Sequence, residues 1–354
     1  MKNIDNKLLK IINKFPFYVW LTPVNKAIER EKFFSNNDYN PVFKYEINKS
    51  LLQKIKTGLD NVIVPESSCF GEIYNKLIQE YLLKIRMIEN LNKPEEFTRI
   101  SKLLYGIYSR KDSEEADDIL EKNYEQVNKG EIRPGEIKKT LLEKIRQQGI
   151  NNWDVELSNN IMSKVTVKPK LNKILVHGKY KYLPGEDRRL AVHEIEVHLF
   201  RALNGDLQKY SIFKTGLAGY LETEEGLAVY YERRKKVCSA RQMKIYAGRL
   251  KAVQKSLSSS FAETYRFLRR WFDRDTAYIL TQRAKRGLTD TSKPGALTKD
   301  AHYISGHRKA GEYIQNNGDL KYLFVGKVGI NDVDLIKKLI DSGRIKEPLY
   351  MPLI

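Results

Sequence analysis

Residues 192–198 read VHEIEVH, with Glu194 directly after His193 and a second histidine at His198. Metallopeptidase helices of the H-E-x-x-H type place their histidines four apart. Here the spacing is five. A regular α-helix turns about 100° per residue, so side chains five apart point about 140° away from each other. The two rings can share one small ion only if the helix absorbs an extra residue as a π-bulge, a distortion found mostly at functional sites. A catalytic zinc takes three protein ligands and keeps one position open. Two histidines leave one ligand to find. The stretch LETEEGLAVYYE at 221–232 offers Glu225, 27 residues after His198, with Glu224 and Glu222 as rivals. Zinc in such a site would bring a bound water's pKa toward neutrality, and Glu194 would take up the water's proton and pass it to a leaving amine. Gly226, next to Glu225, would let that helix come close to another element.

These side chains need elements to hold them. The β-branched runs SKVTVKP and NKILVHG predict strands over 163–168 and 173–178, paired as an antiparallel hairpin. An exposed edge on the second strand would take up an extended peptide by β-augmentation. LPGED at 183–187 breaks the strand pattern and opens the helix DRRLAVHEIEVHLFRALNG, expected to end at Gly205. A second helix is expected from about Thr223, with Glu225 in its first turn and its carboxylates complementing the helix dipole. Two long basic helices follow at about 239–257 and 260–286. Earlier in the chain, Thr22 and Pro23 look like the cap and first residue of a helix. Apolar residues recur at helical spacing in 67–91, 94–109, 113–127 and 135–147, while NPVFKY at 40–45 is extended. The expected organisation is a helical region over 1–150 framing the cleft and a catalytic core over 151–354.

The chain has 354 residues, enough for one large domain or two ordinary ones. Apolar residues at 41% and charged residues at 30% describe a globular protein. No apolar run reaches the ~18 residues of a membrane span, and the N-terminal stretch shows no leader pattern. Two cysteines, Cys69 and Cys238, make neither a disulfide framework nor a thiolate zinc site. A cytoplasmic location follows as the expectation. The net charge is +19, and residues 231–290 hold sixteen Lys and Arg against five Asp and Glu. Such a field attracts an acidic peptide tail or nucleic acid. TYRFLRRWFDRDTAYIL interleaves Arg266, Arg269, Arg270 and Arg274 with Tyr265, Phe267, Phe272 and Tyr278. A basic nucleic-acid-binding or regulatory protein without catalysis is therefore the alternative, although no zinc-finger spacing, RNP motif or helix-turn-helix accompanies it.

HEIEVH followed by EEGLA resembles the QEGLA-motif zinc metallopeptidases, which include the microtubule-associated tyrosine carboxypeptidases. The likeness extends to NPVFKY, VTVKPKLNKILVHG, PGALTKDAHYISG at 294–306, FVGKVGINDV at 324–333 and PLYMPLI, and so covers about residues 20 to 354. It implies His193, His198 and Glu225 as the ligands of one zinc and Glu194 as the catalytic carboxylate. It also offers Lys299 and Tyr303, in the TKD-x-x-Y segment, as groups gripping the substrate's C-terminal carboxylate or the oxyanion. The implied reaction is hydrolysis at or near the C-terminus of a protein or peptide, releasing a tyrosine or other aromatic residue. The implied fold is α+β and mainly helical, a gluzincin-like metallopeptidase core with a small antiparallel sheet next to the HExxxH helix. Two residues depart from the family pattern. Glu196 stands where many relatives have glycine, and is expected to face solvent or meet a nearby arginine such as Arg201. Glu224 stands in place of the glutamine of QEGLA. His302 and His307 are expected to be a partly exposed histidine and a packing residue, respectively.

Overall fold

The computed structural model describes residues 1–65, 69–123, 130–161 and 163–353. The chain is mainly helical and forms two compact units. Unit 1 comprises Met1–Lys122 and Lys244–Ser305; unit 2 comprises Asn123–Met243 and Gly306–Ile354. No helix among the described residues is long and apolar enough to cross a membrane.

Unit 1 is built from amphipathic helices, among them Lys2–Ile12, Lys49–Asp60, Cys69–Glu89, Pro94–Tyr105, Arg110–Glu121, Phe261–Leu268 and Arg274–Lys285. The ends expected at 67–68 and 124–127, and the side chain of Cys69, lie outside the described residues. The helix expected at Thr22 instead starts at Lys26 behind Asn25. The Asn25 side chain donates to Val42 O and accepts from Lys44 N, which pins the extended 40–45 segment against it. The single basic helix expected over 260–286 breaks in two. The first piece ends at Leu268, and Asp273 starts the second by accepting from the backbone N–H groups of Asp275 and Thr276. Ser260 caps Phe261–Leu268 with a reciprocal Glu263 contact.

Unit 2 holds a three-stranded sheet ordered β1 (Asp154–Ser158), β3 (Lys173–His177), β2 (Val165–Lys168). The antiparallel pairing of β2 with β3 is as expected, but β1 runs parallel to β3 on its other side. The sheet is therefore mixed rather than antiparallel. β3 is its central strand with both edges paired, so the expected peptide-binding edge at 173–178 is absent. A hairpin pattern is local in sequence, whereas the parallel partner arrives from before the hairpin and leaves no such mark. Alternate β3 residues Ile174 and Val176 are fully buried, with Val155 of β1 and Val165 of β2 beside them. This face joins a core with Ile137, Leu141 and Ile145 of the helix Pro134–Gln147 and Ile195, Val197 and Leu199 of the motif helix. Burying each such aliphatic side chain contributes about 1.5–3 kcal/mol, so the motif helix is anchored by its apolar residues.

Candidate metal centre

The helix carrying the two histidines has three parts: α-helical Glu186–Leu190, π-helical Ala191–Leu199 and α-helical Phe200–Asp206. A π-helix bonds each residue to the one five positions away, so residues five apart stack on one side. His193 and His198 accordingly lie with ring centroids 4.7 Å apart and planes at 89°. The helix start is fixed by Glu186, which accepts from Leu183 N at 2.8 Å and pairs with Lys164 of the strand region at 2.7 Å. The helix does not stop at Gly205 but runs on to Asp206. Gly205 is needed for space, because a Cβ there would overlap the Phe213 carbonyl.

The third participant comes from Tyr220–Arg234, which begins behind Gly219 at φ +75°. It starts three residues earlier than expected, which puts Glu225 in the second turn and Glu222 in the first. Gly226 meets Gly306 backbone to backbone: a Cβ on Gly226 would overlap the Gly306 carbonyl, and one on Gly306 the Glu222 carbonyl. This approach sets the height of Glu225. His193, His198 and Glu225 each offer a ligand atom within 4.8 Å of the others, and among the described residues they form the one group able to hold a metal ion. His193 Nε2 is 3.7 Å from Glu225 Oε2. Zinc bonds of about 2.0–2.2 Å in a tetrahedron require ligand atoms roughly 3.4 Å apart, so this donor set of two imidazoles and a carboxylate fits a metal ion of that kind.

Partners behind the three residues orient them. His193 Nδ1 faces Glu232 Oε1 at 2.7 Å, leaving Nε2 toward the cluster. Arg189 Nη1 donates to the same Glu232 oxygen at 2.8 Å. Burial alone would raise the Glu232 carboxyl, but Arg189 and His193 outweigh it and hold the group down at about 2. His198 Nδ1 lies 3.1 Å from Glu224 Oε1. Glu224 also pairs with the fully buried Arg201 and lies 3.3 Å from Lys327 Nζ. Here too burial pushes upward, and Lys327 and Arg201 hold the carboxyl well below its usual range. Arg201 further donates to the carbonyls of Leu323, Gly326 and Val328, tying the FVGKV segment to the site. Glu224 is thus committed to cations and to the back of His198, while Glu225 faces the cluster. Glu194, 8% exposed, follows His193 directly. Burial pushes its carboxyl up to about 7; His193 pulls it down, and Glu225 adds to the rise.

Glu196 neither faces solvent nor meets Arg201. It is buried and pairs with Lys144 at 3.0 Å and Lys235 at 2.5 Å, because its place on the π-helix faces those two helices while Arg201 is taken by Glu224. Lys299 and Tyr303 belong to unit 1. Asp300, beside Lys299, forms a two-pronged pair with Arg283 at 2.5 and 2.8 Å. His302 and His307 exchange their expected roles. His302 is buried with Nε2 2.8 Å from Tyr105 O, and His307 is half-buried, 3.2 Å from Arg233 Nη1. Glu232, Arg189 and Lys327 were not anticipated. Glu232 had a signal: it stands seven residues after Glu225, two turns along the same helix face.

A family model described as microtubule-associated tyrosine carboxypeptidase matches residues 31–354. The chain belongs to the microtubule-associated tyrosine carboxypeptidase family. Human microtubule-associated tyrosine carboxypeptidase 1 is 27% identical over 345 residues, covering 95% of this chain and 65% of the human protein. The rat protein of the same name is 27% identical over 346 residues, covering 94% and 65%. A mouse protein named MATCAP2 is 26% identical over 343 residues, covering 94% and 58%. The chain therefore spans less than two thirds of the length of these curated relatives while matching them over nearly all of its own. The family match includes the HEIEVH helix, the EEGLA helix and the TKD-x-x-Y segment.

Proposed function

We propose that the chain is a zinc-dependent metallocarboxypeptidase that hydrolyses a peptide bond at or near the C-terminus of a protein or peptide, with a terminal tyrosine or other aromatic residue as the product. The observation that carries this reading is the convergence of His193, His198 and Glu225 on a π-helical turn with Glu194 beside them. Two neutral imidazoles and one carboxylate are the donor set of a catalytic zinc with one open position. The glutamate ligand from a downstream helix supports the gluzincin-like assignment of the core. Membership of a family named for tyrosine carboxypeptidases supports the reaction class.

Zinc held there would supply a Lewis acid that polarises the scissile carbonyl and acidifies a coordinated water. The remaining work belongs to side chains. Glu232 and Arg189 fix the His193 ring and its tautomer, and Glu224 does so for His198. Glu194 accepts the proton of the attacking water and returns it to the leaving amine. A proton affinity raised by burial suits a group that must take up and give back a proton near neutral pH. Lys299 and Tyr303 are assigned to the substrate's terminal carboxylate or the oxyanion. The positive charge of 231–290 favours an acidic tail as partner, and a cytoplasmic location agrees with that partner.

Glu194→Gln tests the reading. It keeps the size of the side chain and removes its basicity. Peptide hydrolysis is expected to fall by about 10²–10⁴-fold with zinc content unchanged. Cleavage at the wild-type rate by the zinc-loaded variant would overturn the assignment of Glu194.

A further inference from the structure

Within unit 2, Glu196 stands on the π-helical turn between His193 and His198, yet it is not one of the three groups that converge on the metal position. It is 4% exposed, flanked in the chain by the fully buried Ile195 and Val197. A buried ion pair is often no more stable than apolar residues filling the same space. Stability alone therefore does not account for a carboxylate here, and its partners point to another use.

Each oxygen has its own lysine. Oε1 pairs with Lys144 Nζ at 3.0 Å and Oε2 accepts from Lys235 Nζ at 2.5 Å. Lys144 lies in the last turn of Pro134–Gln147, and Lys235 caps the end of Tyr220–Arg234. Both stand at the negative end of a helix dipole, where a cation is favoured. One carboxylate thus joins the ends of two helices to the middle of a third. The second of those helices carries Glu225.

Two other polar links hold Tyr220–Arg234 to the π-helix, from His193 to Glu232 and from His198 to Glu224. Both run through histidines of the cluster, whose rings can turn about their side-chain bonds. The Glu196–Lys235 pair runs through neither histidine and grips the wide turn itself. If that turn relaxed to regular α-helix, the two histidines would diverge by about 140°. A carboxylate tethered at both oxygens resists such a rotation.

We propose that Glu196 is a positioning residue. Bridged to Lys144 and Lys235, it holds the π-helical turn and the helix of Glu225 at the spacing the metal needs before the ion arrives. This rests on the zinc reading of the site.

Glu196→Gln keeps the shape of the side chain and removes its charge. Zinc affinity of the folded protein is read by competition with a chromophoric chelator, and stability of the zinc-free protein by urea denaturation. The affinity is expected to fall at least about tenfold. Lys235→Met is expected to lower it as well, and adding Lys235→Met to Glu196→Gln should cost little more, because both act through one contact. A merely structural pair would weaken the zinc-free protein and leave the zinc affinity of its folded fraction unchanged; that result overturns the proposal. So do losses that multiply in the double variant. If Glu196→Gln does not fold, Lys235→Met carries the test, since its lysine is already 23% exposed, and an unchanged zinc affinity in it overturns the proposal. Wild type is measured alongside. Zinc bound by wild type and equally by the variants removes the clamp and leaves the metal site. No zinc bound by wild type removes both.

Discussion

Adjacent glutamates on one helix have opposite assignments because a helix turns about 100° between them. Glu225 faces His193, whereas Glu224 faces Arg201, Lys327 and the back of His198. Glu225→Ala is therefore expected to abolish zinc retention after dialysis, while Glu224→Gln keeps zinc with weakened affinity. The reverse pattern would exchange their roles. Glu232 makes a sharper case. It contacts His193 Nδ1 and is fully buried, yet offers no ligand atom to the cluster. Glu232→Gln removes its charge and its grip on the histidine tautomer. Zinc affinity, read by competition with a chromophoric chelator, is expected to fall about 10–100-fold. Both histidines and Glu194 stood out by residue type and spacing, which left Glu225, Glu224 and Glu222 as rivals; only the resemblance to the QEGLA motif favoured Glu225. The partners behind them stood out less, since Arg189, Arg201 and Lys327 are unremarkable in a chain with 63 Lys and Arg.

At the scale of elements, two distortions bring His193, His198 and Glu225 together: the π-helix over 191–199 and the glycine contact between Tyr220–Arg234 and the residues from Gly306 onward. Gly306→Ala places a methyl group against the Glu222 carbonyl. It should cost about 1–3 kcal/mol in chemical denaturation and also weaken zinc binding, because the helix carrying Glu225 must move away. Unchanged stability would mean the contact is slack. The five-residue histidine spacing announced the π-helix directly, because no straight α-helix reconciles it with a shared ion. The mixed sheet was not legible. β1 pairs with β3 across an intervening strand, and nothing in WDVEL distinguishes that partner from the nearer β2. The break before Asp273 was likewise hidden, since RRWFDRDT continues the charge and aromatic pattern of its flanks and only the cap marks the restart.

At the scale of the whole chain, the two units interleave, with each built from two separated segments. Composition gives no sign of this, because both are helical and basic. The aromatic residues once open to a base-stacking role are largely used elsewhere. Tyr265 and Tyr278 are buried and pack around Phe33 at 4.8 and 5.4 Å, and Arg270 covers Phe267 and Trp271 at 4.3 Å. Acid stability should report on Asp300. Burial would raise its carboxyl, but Arg283 holds it below the ordinary aspartate value. A carboxylate with a depressed folded-state pKa stabilises the protein fully above its unfolded value, near pH 4, and loses that contribution as pH falls through the folded one. Asp300→Asn should thus cost about 3–5 kcal/mol at pH 7, and the gap from wild type in denaturant midpoint should shrink at pH 3. A gap that does not change with pH would mean the pair contributes nothing. The central claim is the metal site, and zinc content per chain measured by mass spectrometry on wild type and His198→Ala side by side tests it most directly. The account predicts about one zinc per wild-type chain and none in the variant. No zinc in the wild type after metal-replete expression, or equal zinc in both, would contradict it.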